Sequence, residues 1–462
     1  MDEVPDYLAA WMTRQRWFAG KGRTPRFELI GGFGLDSAHE PASIRVHLVL
    51  DHAEHPVLYQ VPLTERRSPL KGAERALVAT RQDATGVIWI YDGPHDPAFA
   101  GALLRLILDQ GEVLAPDGSG RIVANGRRDV VDDGLVIGAS RVLGGEQSNT
   151  SIIYDITTGD GEPSSPIICK VFRALHDGEN PDVVLTAVLA AAGSAVVPTS
   201  IGHISAQWRD AGAPHDIANG HLAFAQEFLP GVEDAWRVAV RAVEVGEDFS
   251  ERARDLGEMT AEMHSTLASA LPSRATTPAD IAGVVASMRQ RFELAAKAVP
   301  ALDHHRGALD EVYSRAVASP WPRLQRIHGD FHLGQVLAVP GRGWVVLDFE
   351  GEPLRPMRER SQPDIPLRDV AGMLRSFDYV AGSFALTGGH SAGDWAAACR
   401  GAFVDGYSAA SGHDLRDHRA VLDAFEIDKA LYEAVYEARN RPSWLSIPSD
   451  AITRLVERAA LS

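Results

Sequence analysis

The alternation of hydrophobic and polar positions predicts a first half rich in strands and a second half rich in helices. Apolar, β-branched runs at 44–50 and 57–63 are typical of strands. Between 138 and 172 the pattern predicts successive strands joined by polar loops, the last of them at 167–172. After the Pro-Gly pair at 230–231, apolar residues recur mainly at helical spacing. These elements together favour an α+β fold.

Several stretches carry the apolar periodicity of helices. One helix is predicted at 94–114, entered through Pro97, because proline suits the first helical turn. A second is predicted at 182–192. Further along, an amphipathic helix begins at Pro366, and a longer one covers 421–441. The longer helix has an apolar stripe and a second stripe made of Lys429, Tyr432, Glu433, Tyr436 and Asn440.

Changes of pattern and turn-forming residues divide the chain into segments. Residues 1–95 mix an aromatic-rich opening with strands and are predicted to form an amino-terminal cap. Residues 96–228 are predicted to form an amino-lobe subdomain. Residues 229–462 are predicted to form a mostly helical carboxy-terminal lobe. A chain of 462 residues is too long for one compact core, which agrees with several subdomains.

Charge and cysteine content narrow the range of partners and compartments. A net charge of -17 repels nucleic acid and anionic membranes, so we predict neither as a partner. The longest apolar run, 185–197, is shorter than the roughly 20 residues of a membrane-spanning helix. Two distant cysteines and an acidic amino terminus predict no disulfide framework and no secretory signal. We therefore expect a cytoplasmic protein.

The segment 326–353 carries the clearest candidate chemistry. Asp330 is followed by Gln335, then by a short hairpin, and then by Asp348 and Glu350. Kinases that phosphorylate hydroxyl groups use this order: a carboxylate that accepts the hydroxyl proton, an amide ligand, and a downstream acidic metal ligand. Mg²⁺ prefers such hard oxygen ligands. The segment therefore predicts a catalytic loop and a magnesium site.

The hairpin is predicted from two apolar, β-branched-rich runs at 335–339 and 344–347. Between them stands Pro-Gly-Arg-Gly, a sequence typical of a turn. A hairpin brings the start of one strand beside the end of the next. We therefore expect Gln335 and Asp348 to face one cation.

Other interpretations of these residues remain open. His328 alone is equally well explained as a buried, hydrogen-bonded core histidine. His328, Asp330 and His332 form a His-x-Asp-x-His pattern that would suit a zinc hydrolase, although no further His or Cys cluster completes it. The ordered set of polar residues on an apolar hairpin favours the kinase interpretation, because burying them without partners is costly.

Two features of the amino-lobe segment are candidates for phosphate binding. Small and hydroxyl residues between two apolar runs offer backbone amides and hydroxyls to an anion, although an ordinary hairpin turn explains such a loop too. The candidate residues of this loop are Gly145, Gln147, Ser148 and Thr150. Lys170 lies in an apolar strand, where a buried cation needs a partner such as a nucleotide phosphate. The alternative is an edge-strand lysine that reaches water.

The motifs HGDFHLGQVL and VLDFEGEP together resemble the actinobacterial maltokinases, relatives of the aminoglycoside phosphotransferases in the protein kinase superfamily. GGEQSNTS, FRALHDGENPD, PLRDVAGMLRSF, EARNRPSWLSIP and the amino-terminal RQRWFAGKGR match the same family. The resemblance implies a bilobal, protein-kinase-like α+β fold with an extra amino-terminal cap. It implies phosphorylation of maltose by ATP and Mg²⁺ at the anomeric hydroxyl, giving maltose 1-phosphate for α-glucan synthesis. Trehalose synthase is a possible partner by the same analogy.

The resemblance also assigns roles to residues. Asp330 is the expected catalytic base, with His328 and Asp369 at the catalytic loop. The expected metal ligands are Gln335, Asp348 and Glu350. The expected nucleotide contacts are Gly145, Gln147, Ser148, Thr150, Lys170 and the lobe-joining residues Gln226, Glu227 and Phe228. The expected sugar contacts are His332, Lys429, Tyr432, Glu433 and Tyr436, with Arg439 or Trp444 as alternatives. The ordinary explanation of the polar stripe is a solvated helix face with a Lys429–Glu433 pair.

One departure from the family pattern concerns the lysine partner. Kinases pair this lysine with a helix glutamate, but Val184 stands at that position. Asp182 or Glu179 substitutes, or phosphate alone holds Lys170. Two other functions also stay open: a kinase for another sugar or amino-sugar such as glucosamine, and a catalytically silent kinase-like subunit.

Overall fold

The protein is described by a computed structural model that divides into two compact units. The described residues are 4–37, 41–115, 122–129, 134–144, 148–210, 212–213, 216–352 and 355–460. Unit 1 contains Met1–Ala187 and Pro198–Pro230, and unit 2 contains Val188–Val197 and Gly231–Ser462. The predicted subdivision into 1–95, 96–228 and 229–462 stays a prediction.

The first sheet of unit 1 has six strands in the order β1-β2-β3-β5-β4, with β11 paired to β3. The strands are β1 (Phe27–Leu35), β2 (Ala42–Asp51), β3 (Val57–Arg66), β4 (Leu77–Asp83), β5 (Gly86–Asp92) and β11 (Ala174–Leu175). Helix α1 (Asp6–Met12) contributes to a core that joins the aromatic rings of Trp11, Trp17, Phe18 and Tyr59. The aromatic-rich opening predicted from sequence thus packs on this sheet.

The second sheet of unit 1 has seven strands in the order β6-β7-β12-β13-β10-β9-β8. The strands are β6 (Glu112–Leu114), β7 (Val123–Arg128), β8 (Val136–Val142), β9 (Asn149–Thr157), β10 (Pro163–Phe172), β12 (Ser200–Arg209) and β13 (Ile217–Glu227). Strand β10, which carries Lys170, lies between β13 and β9. The edge-strand interpretation of Lys170 is therefore wrong.

Helix α2 (Pro97–Leu108) begins as predicted and ends earlier than predicted. The Asp96 side chain accepts a hydrogen bond from the Ala98 amide and caps the helix. The helix stops because Gln110 takes a left-handed conformation with φ 51°, which allows the chain to turn into β6. Strand β7 then passes so close to the helix that a Cβ on Gly126 would lie 1.7 Å from the Leu106 carbonyl oxygen.

Helix α3 (Pro181–Ala191) follows β11, close to the predicted bounds. The helices of unit 2 are α4 (Ala235–Val245), α5 (Ser250–Ala270), α6 (Pro278–Ala298), α7 (Arg306–Ala318), α8 (Met357–Arg360), α9 (Leu367–Leu386), α10 (Gly393–Ser411), α11 (Arg419–Asn440) and α12 (Ser446–Ala460). Among the described residues, no helix combines the length and the apolar character needed to cross a bilayer.

Unit 2 also contains a three-stranded sheet in the order β14-β15-β16. Its strands are β14 (Glu233–Asp234), β15 (Val336–Val339) and β16 (Gly343–Val346). Val336 pairs with Val346 and Val339 pairs with Gly343, which confirms the predicted hairpin. Gly341 and Gly343 in its turn have positive φ angles, a conformation that glycine adopts without strain. The mixed fold confirms the predicted α+β class.

Candidate active site

The catalytic loop is joined to the end of the hairpin by His328, which is buried. Its Nε2 donates to the carbonyl oxygen of Leu347 at 2.9 Å, and its Nδ1 accepts from the amide of Asp330 at 3.3 Å. Its ring also lies 4.8 Å from that of Phe349. With both nitrogens engaged by the backbone, His328 positions the loop and cannot bind zinc without breaking these bonds.

Asp369 braces the same loop from the first turn of α9. Its carboxylate accepts from the amides of His328 and Gly329, both at 2.8 Å, and is fully buried. The Nε2 atom of His264 lies 3.1 Å from the same carboxylate. Helix α9 reaches the loop because Gly372 carries no side chain: a Cβ there would lie 2.3 Å from the Phe331 carbonyl oxygen.

The three predicted metal ligands lie together at the end of the hairpin. Gln335 Nε2 donates to Asp348 Oδ2 at 3.3 Å, and one oxygen of Asp348 lies within 4.8 Å of one oxygen of Glu350. Asp348 has a φ of 65°, a conformation that costs on the order of 1–3 kcal/mol for a residue other than glycine. Hard oxygen ligands this close together suit a cation such as Mg²⁺.

Asp330, the predicted base, forms an ion pair with Lys429 of α11. The Nζ atom of Lys429 lies 2.8 Å from Asp330 Oδ1, and about a fifth of each side chain is exposed. Burial raises the pKa of Asp330, while the nearby cation of Lys429 acts in the opposite direction, and the pKa lies below its ordinary value. Asp330 is thus a carboxylate at neutral pH.

His332 is a neutral histidine beside the base. Burial lowers its pKa to about 4 even though the charge of Asp330 acts in the opposite direction. Its Nδ1 accepts from the amide of Gly334 at 3.1 Å. Since Nδ1 accepts, the proton of the neutral ring is on Nε2.

Helix α11 presents its polar stripe to partners within unit 2. Glu433 accepts from buried Arg375 of α9, at 3.0 Å from Nε and 2.7 Å from the terminal nitrogen. The cation of Lys429 lies 5.1 Å from the ring centre of Tyr432. Lys429 and Glu433 thus have partners on other elements and do not form the Lys429–Glu433 pair of a solvated helix face.

An aromatic cluster lies toward the carboxyl end of α11. The rings of Tyr379 and Trp444 are stacked at 6.5 Å, and the guanidinium of Arg441 lies 4.4 Å from the Trp444 ring. Arg441 also lies 5.6 Å from the Tyr436 ring, and Tyr436 is 47% exposed. Flat aromatic faces next to hydrogen-bonding groups are suited to sugar rings.

A pocket in unit 2 brings Asp330, the predicted base, together with charged residues of α9, α11 and the loop after β16. Its lining consists of Gly329, Asp330, Phe331, Glu352, Arg368, Gly372, Phe425, Asp428 and Lys429. Arg291 contacts both acidic residues behind the base, at 2.9 Å from Asp428 and 3.4 Å from Glu352. The pocket thus combines a base, a lysine and a buried ion network.

In unit 1, Lys170 is paired with Asp182. Lys170 Nζ lies 2.7 Å from Asp182 Oδ2, and their side chains are 13% and 1% exposed. Asp182 stands in the first turn of α3, where the side-chain oxygen of Asn180 accepts from its amide. Of the open alternatives for the partner of Lys170, the structure thus favours Asp182.

Part of the predicted phosphate loop lies outside the described residues, namely Gly145 and Gln147. Ser148 is exposed, and Thr150 is buried. The hydroxyl of Thr150 accepts from Nε of Arg173 at 2.8 Å, and Arg173 is paired with Asp92 at 2.7 Å. Arg173 therefore holds the carboxyl end of this loop.

The lobe-joining residues continue strand β13. Gln226 is buried and pairs with Ile168 in the sheet. The amide of Glu227 donates to the carbonyl oxygen of Thr199 at 2.9 Å, and the amide of Phe228 donates to that of Pro166 at 2.7 Å. These two donors are thus used within the sheet.

Sequence reasoning missed Arg375, His264 and Arg173. Arg375 carried a signal, because it is a charged residue in the otherwise apolar part of the PLRDVAGMLRSF motif and had to find a buried partner. His264 and Arg173 carried none, because their contacts with Asp369 and Asp92 join residues far apart in the chain.

Comparison with known proteins identifies the family of this chain. The model of the phosphotransferase enzyme family matches residues 143–421, and the model of the maltokinase N-terminal cap domain matches residues 11–96. A glucosamine kinase of Streptacidiphilus jiangxiensis is 31% identical over 258 residues, which cover 51% of this chain and 58% of that protein. A glucosamine kinase of Mycolicibacterium smegmatis is 28% identical over 334 residues, which cover 68% of this chain and 78% of that protein.

The fold is also found in a solved structure of a glucosamine kinase in complex with glucosamine, ADP and inorganic phosphate. The two share 22% identity and superpose with a TM-score of 0.66 over 98% of this chain and 100% of that one. These matches confirm the predicted kinase-like fold and the resemblance to the maltokinase family that the sequence motifs indicate. This chain belongs to the phosphotransferase enzyme family and carries a maltokinase-type cap domain at its amino-terminal end.

Proposed function

We propose that this protein transfers the γ-phosphoryl group of ATP to the anomeric hydroxyl of maltose, giving ADP and maltose 1-phosphate. The observation that carries the proposal is the position of Lys429, 2.8 Å from the carboxylate of Asp330. It links the catalytic loop to the helix that carries the predicted sugar contacts.

In the proposed reaction, Asp330 accepts the proton of the anomeric hydroxyl as that oxygen forms a bond to the γ-phosphorus. The bond between the γ-phosphorus and the bridging oxygen breaks, and its electron pair stays on ADP. His328 and Asp369 fix the loop through their backbone contacts, so that Asp330 is held in one orientation. Positioning of this kind supplies much of the rate enhancement in phosphoryl transfer.

The donor set of Gln335, Asp348 and Glu350 fits Mg²⁺, because it offers carboxylate and amide oxygens and leaves positions for water and phosphate. A bound Mg²⁺ would neutralise charge on the phosphates. In unit 1, Lys170 is proposed to bind ATP phosphate while Asp182 holds its ammonium group. Thr150, held by Arg173, and Ser148 are the proposed phosphate-loop contacts among the described residues.

Two features favour maltose over an amino-sugar. The ammonium of Lys429 stands beside the base, so a cationic acceptor such as glucosamine would be repelled there, whereas a neutral sugar would not. The aromatic cluster of Tyr436 and Trp444 begins two helical turns from Lys429, about 10 Å along the axis. That separation suits an acceptor with two linked rings.

Glucosamine remains the second candidate acceptor, because two relatives of this chain are glucosamine kinases. The test is a transfer assay with ATP and maltose, glucose, glucosamine or an aminoglycoside, with the phosphorylated carbon of each product determined. We expect maltose 1-phosphate as the main product. Preferential phosphorylation of glucosamine would reject the proposed acceptor and retain the kinase.

The remaining predictions extend this proposal. Maltose 1-phosphate would feed α-glucan synthesis, and trehalose synthase, which supplies maltose, is the proposed protein partner. A cytoplasmic location agrees with the use of ATP. Co-purification of the two enzymes from one cell extract, compared with a sample lacking the cap residues 1–95, would test the partnership.

A further inference from the structure

We propose that Lys429 selects the nucleophile that Asp330 activates: its ammonium group holds the catalytic carboxylate until a sugar hydroxyl displaces it, and thereby suppresses hydrolysis of ATP by water. The inference rests on the proposed function, because it gives a second role to a residue of the same site.

The geometry of the pair motivates this role. The Nζ atom of Lys429 lies 2.8 Å from Oδ1 of Asp330, and both side chains are partly exposed, at 20% and 19%. Water therefore reaches the carboxylate that activates the acceptor. A water molecule can replace the sugar only if it finds an oxygen of Asp330 ready to take its proton.

When a sugar binds, the ammonium group of Lys429 has other groups to contact. Glu352 lines the same pocket as Asp330 and Lys429. The ring of Tyr432 lies 5.1 Å from the ammonium and stabilises a cation through its π-face. Sugar hydroxyls supply further acceptors. A bound sugar can thus compensate the loss of the Asp330 contact, whereas a single water molecule compensates it poorly.

The two competing reactions differ only in the nucleophile. In transfer, the anomeric oxygen forms a bond to the γ-phosphorus of ATP and its proton goes to Asp330. In hydrolysis, the oxygen of water forms that bond and its proton goes to Asp330, giving inorganic phosphate. In both, the bond to the bridging oxygen breaks and ADP keeps the electron pair.

The test measures ADP release without sugar and phosphate transfer to maltose, in the full-length protein. Lys429→Met and Lys429→Gln remove the cation, and both should raise sugar-independent ADP release about tenfold, the effect of losing one charged hydrogen bond. Lys429→Arg keeps a cation and should raise ADP release less than Lys429→Met and Lys429→Gln do. Lys297→Met, an exposed lysine on α6, is the matched control and should change neither rate.

The double variant Asp330→Asn/Lys429→Met should lose the added hydrolysis, because the increase depends on the carboxylate. Unchanged ADP release in both Lys429→Met and Lys429→Gln would overturn the inference. An increase in ADP release that persists in the double variant Asp330→Asn/Lys429→Met would also overturn the inference. The measurement of ADP release contains no sugar. It therefore tests the proposed role of Lys429 even if the transfer assay identifies glucosamine, and not maltose, as the acceptor.

Discussion

Among the described residues, unit 1 contains the pair Lys170–Asp182 and unit 2 contains the pair Lys429–Asp330, and the two pairs have nearly the same length. In unit 1, Lys170 and Asp182 are 2.7 Å apart and separated by 12 positions in the sequence. In unit 2, Lys429 and Asp330 are 2.8 Å apart and separated by 99 positions. The geometry is alike, yet the carboxylates are proposed to do different work.

The two pairs differ in the role that is proposed for the carboxylate. In the first pair the carboxylate is proposed to supply only a charge that holds a lysine, and the lysine is proposed to bind phosphate. In the second pair the carboxylate is proposed to accept a proton, so its position should tolerate less change. Predictions that separate the two cases follow from this contrast.

The largest effect is expected for Asp330→Asn. The amide keeps the shape of the side chain and cannot accept the hydroxyl proton, so kcat for sugar phosphorylation should fall roughly 10²- to 10⁴-fold. Thermal unfolding compared with wild type controls for damage to the fold. Turnover within a few-fold of wild type would refute the assignment of Asp330 as base.

A smaller effect is expected for Asp182→Asn, which should lower kcat/KM for ATP roughly ten- to hundredfold through the loss of a charged hydrogen bond to Lys170. Asp182→Glu, which keeps a carboxylate on the same face of α3, should retain most of the activity. Steady-state kinetics with varied ATP measure both changes.

Glu179→Gln serves as the control for Asp182→Asn, because Glu179 is exposed and is the other acidic residue near the start of α3. We expect it to be nearly neutral. If Asp182→Glu is as inactive as Asp182→Asn, the carboxylate of Asp182 does more than supply a charge, and the contrast between the two pairs fails.

Trp444→Ala should weaken maltose binding by about tenfold or less, because one stacking contact contributes about 0.5–1.5 kcal/mol beyond its buried area. The same change should leave KM for glucose almost unaltered, since a single ring at Asp330 does not reach the cluster. Comparison of KM for the two sugars measures the effect. Equal losses for both would place the cluster outside the acceptor site.

The smallest effect concerns the acid limb of the pH–rate profile. Asp330 must be deprotonated to act, and Lys429 helps to hold the pKa of Asp330 below its ordinary value. In Lys429→Met, burial is the dominant influence on the pKa of Asp330, and this pKa rises. As the solution is acidified, the activity of the variant should therefore begin to fall at a higher pH than that of the wild type. His332 has a pKa of about 4 and stays neutral above that pH, so His332→Gln should not move this limb between pH 5 and 8.

Much of the fold followed from local patterns. The hairpin of β15 and β16, the helix α11 and the strands β2, β3 and β10 were predicted within a few residues, because alternating or helical apolar periodicity and Pro-Gly turns act over short distances. Helix α2 was predicted too long. Its end depends on the left-handed Gln110 and on the passage of β7, neither of which is visible in the apolar pattern.

The candidate site likewise has features that local sequence predicts and features that it does not. The order of Asp330, Gln335, Asp348 and Glu350 is a local feature, and the hairpin that gathers the last three was predictable from its turn. The partner of Lys170 could be narrowed to nearby acidic residues. The partner of Glu433 could not be found in this way, because Arg375 comes from another helix at a separation of 58 positions.

The sequence by itself determined the elements, the family and the order of chemical groups along the catalytic segment, because each is recorded in neighbouring residues. Only the tertiary structure decided that Lys429 pairs with Asp330, and that Asp182 holds Lys170. A buried charge takes the opposite charge that packing brings within hydrogen-bond distance, and that distance is a property of the folded chain.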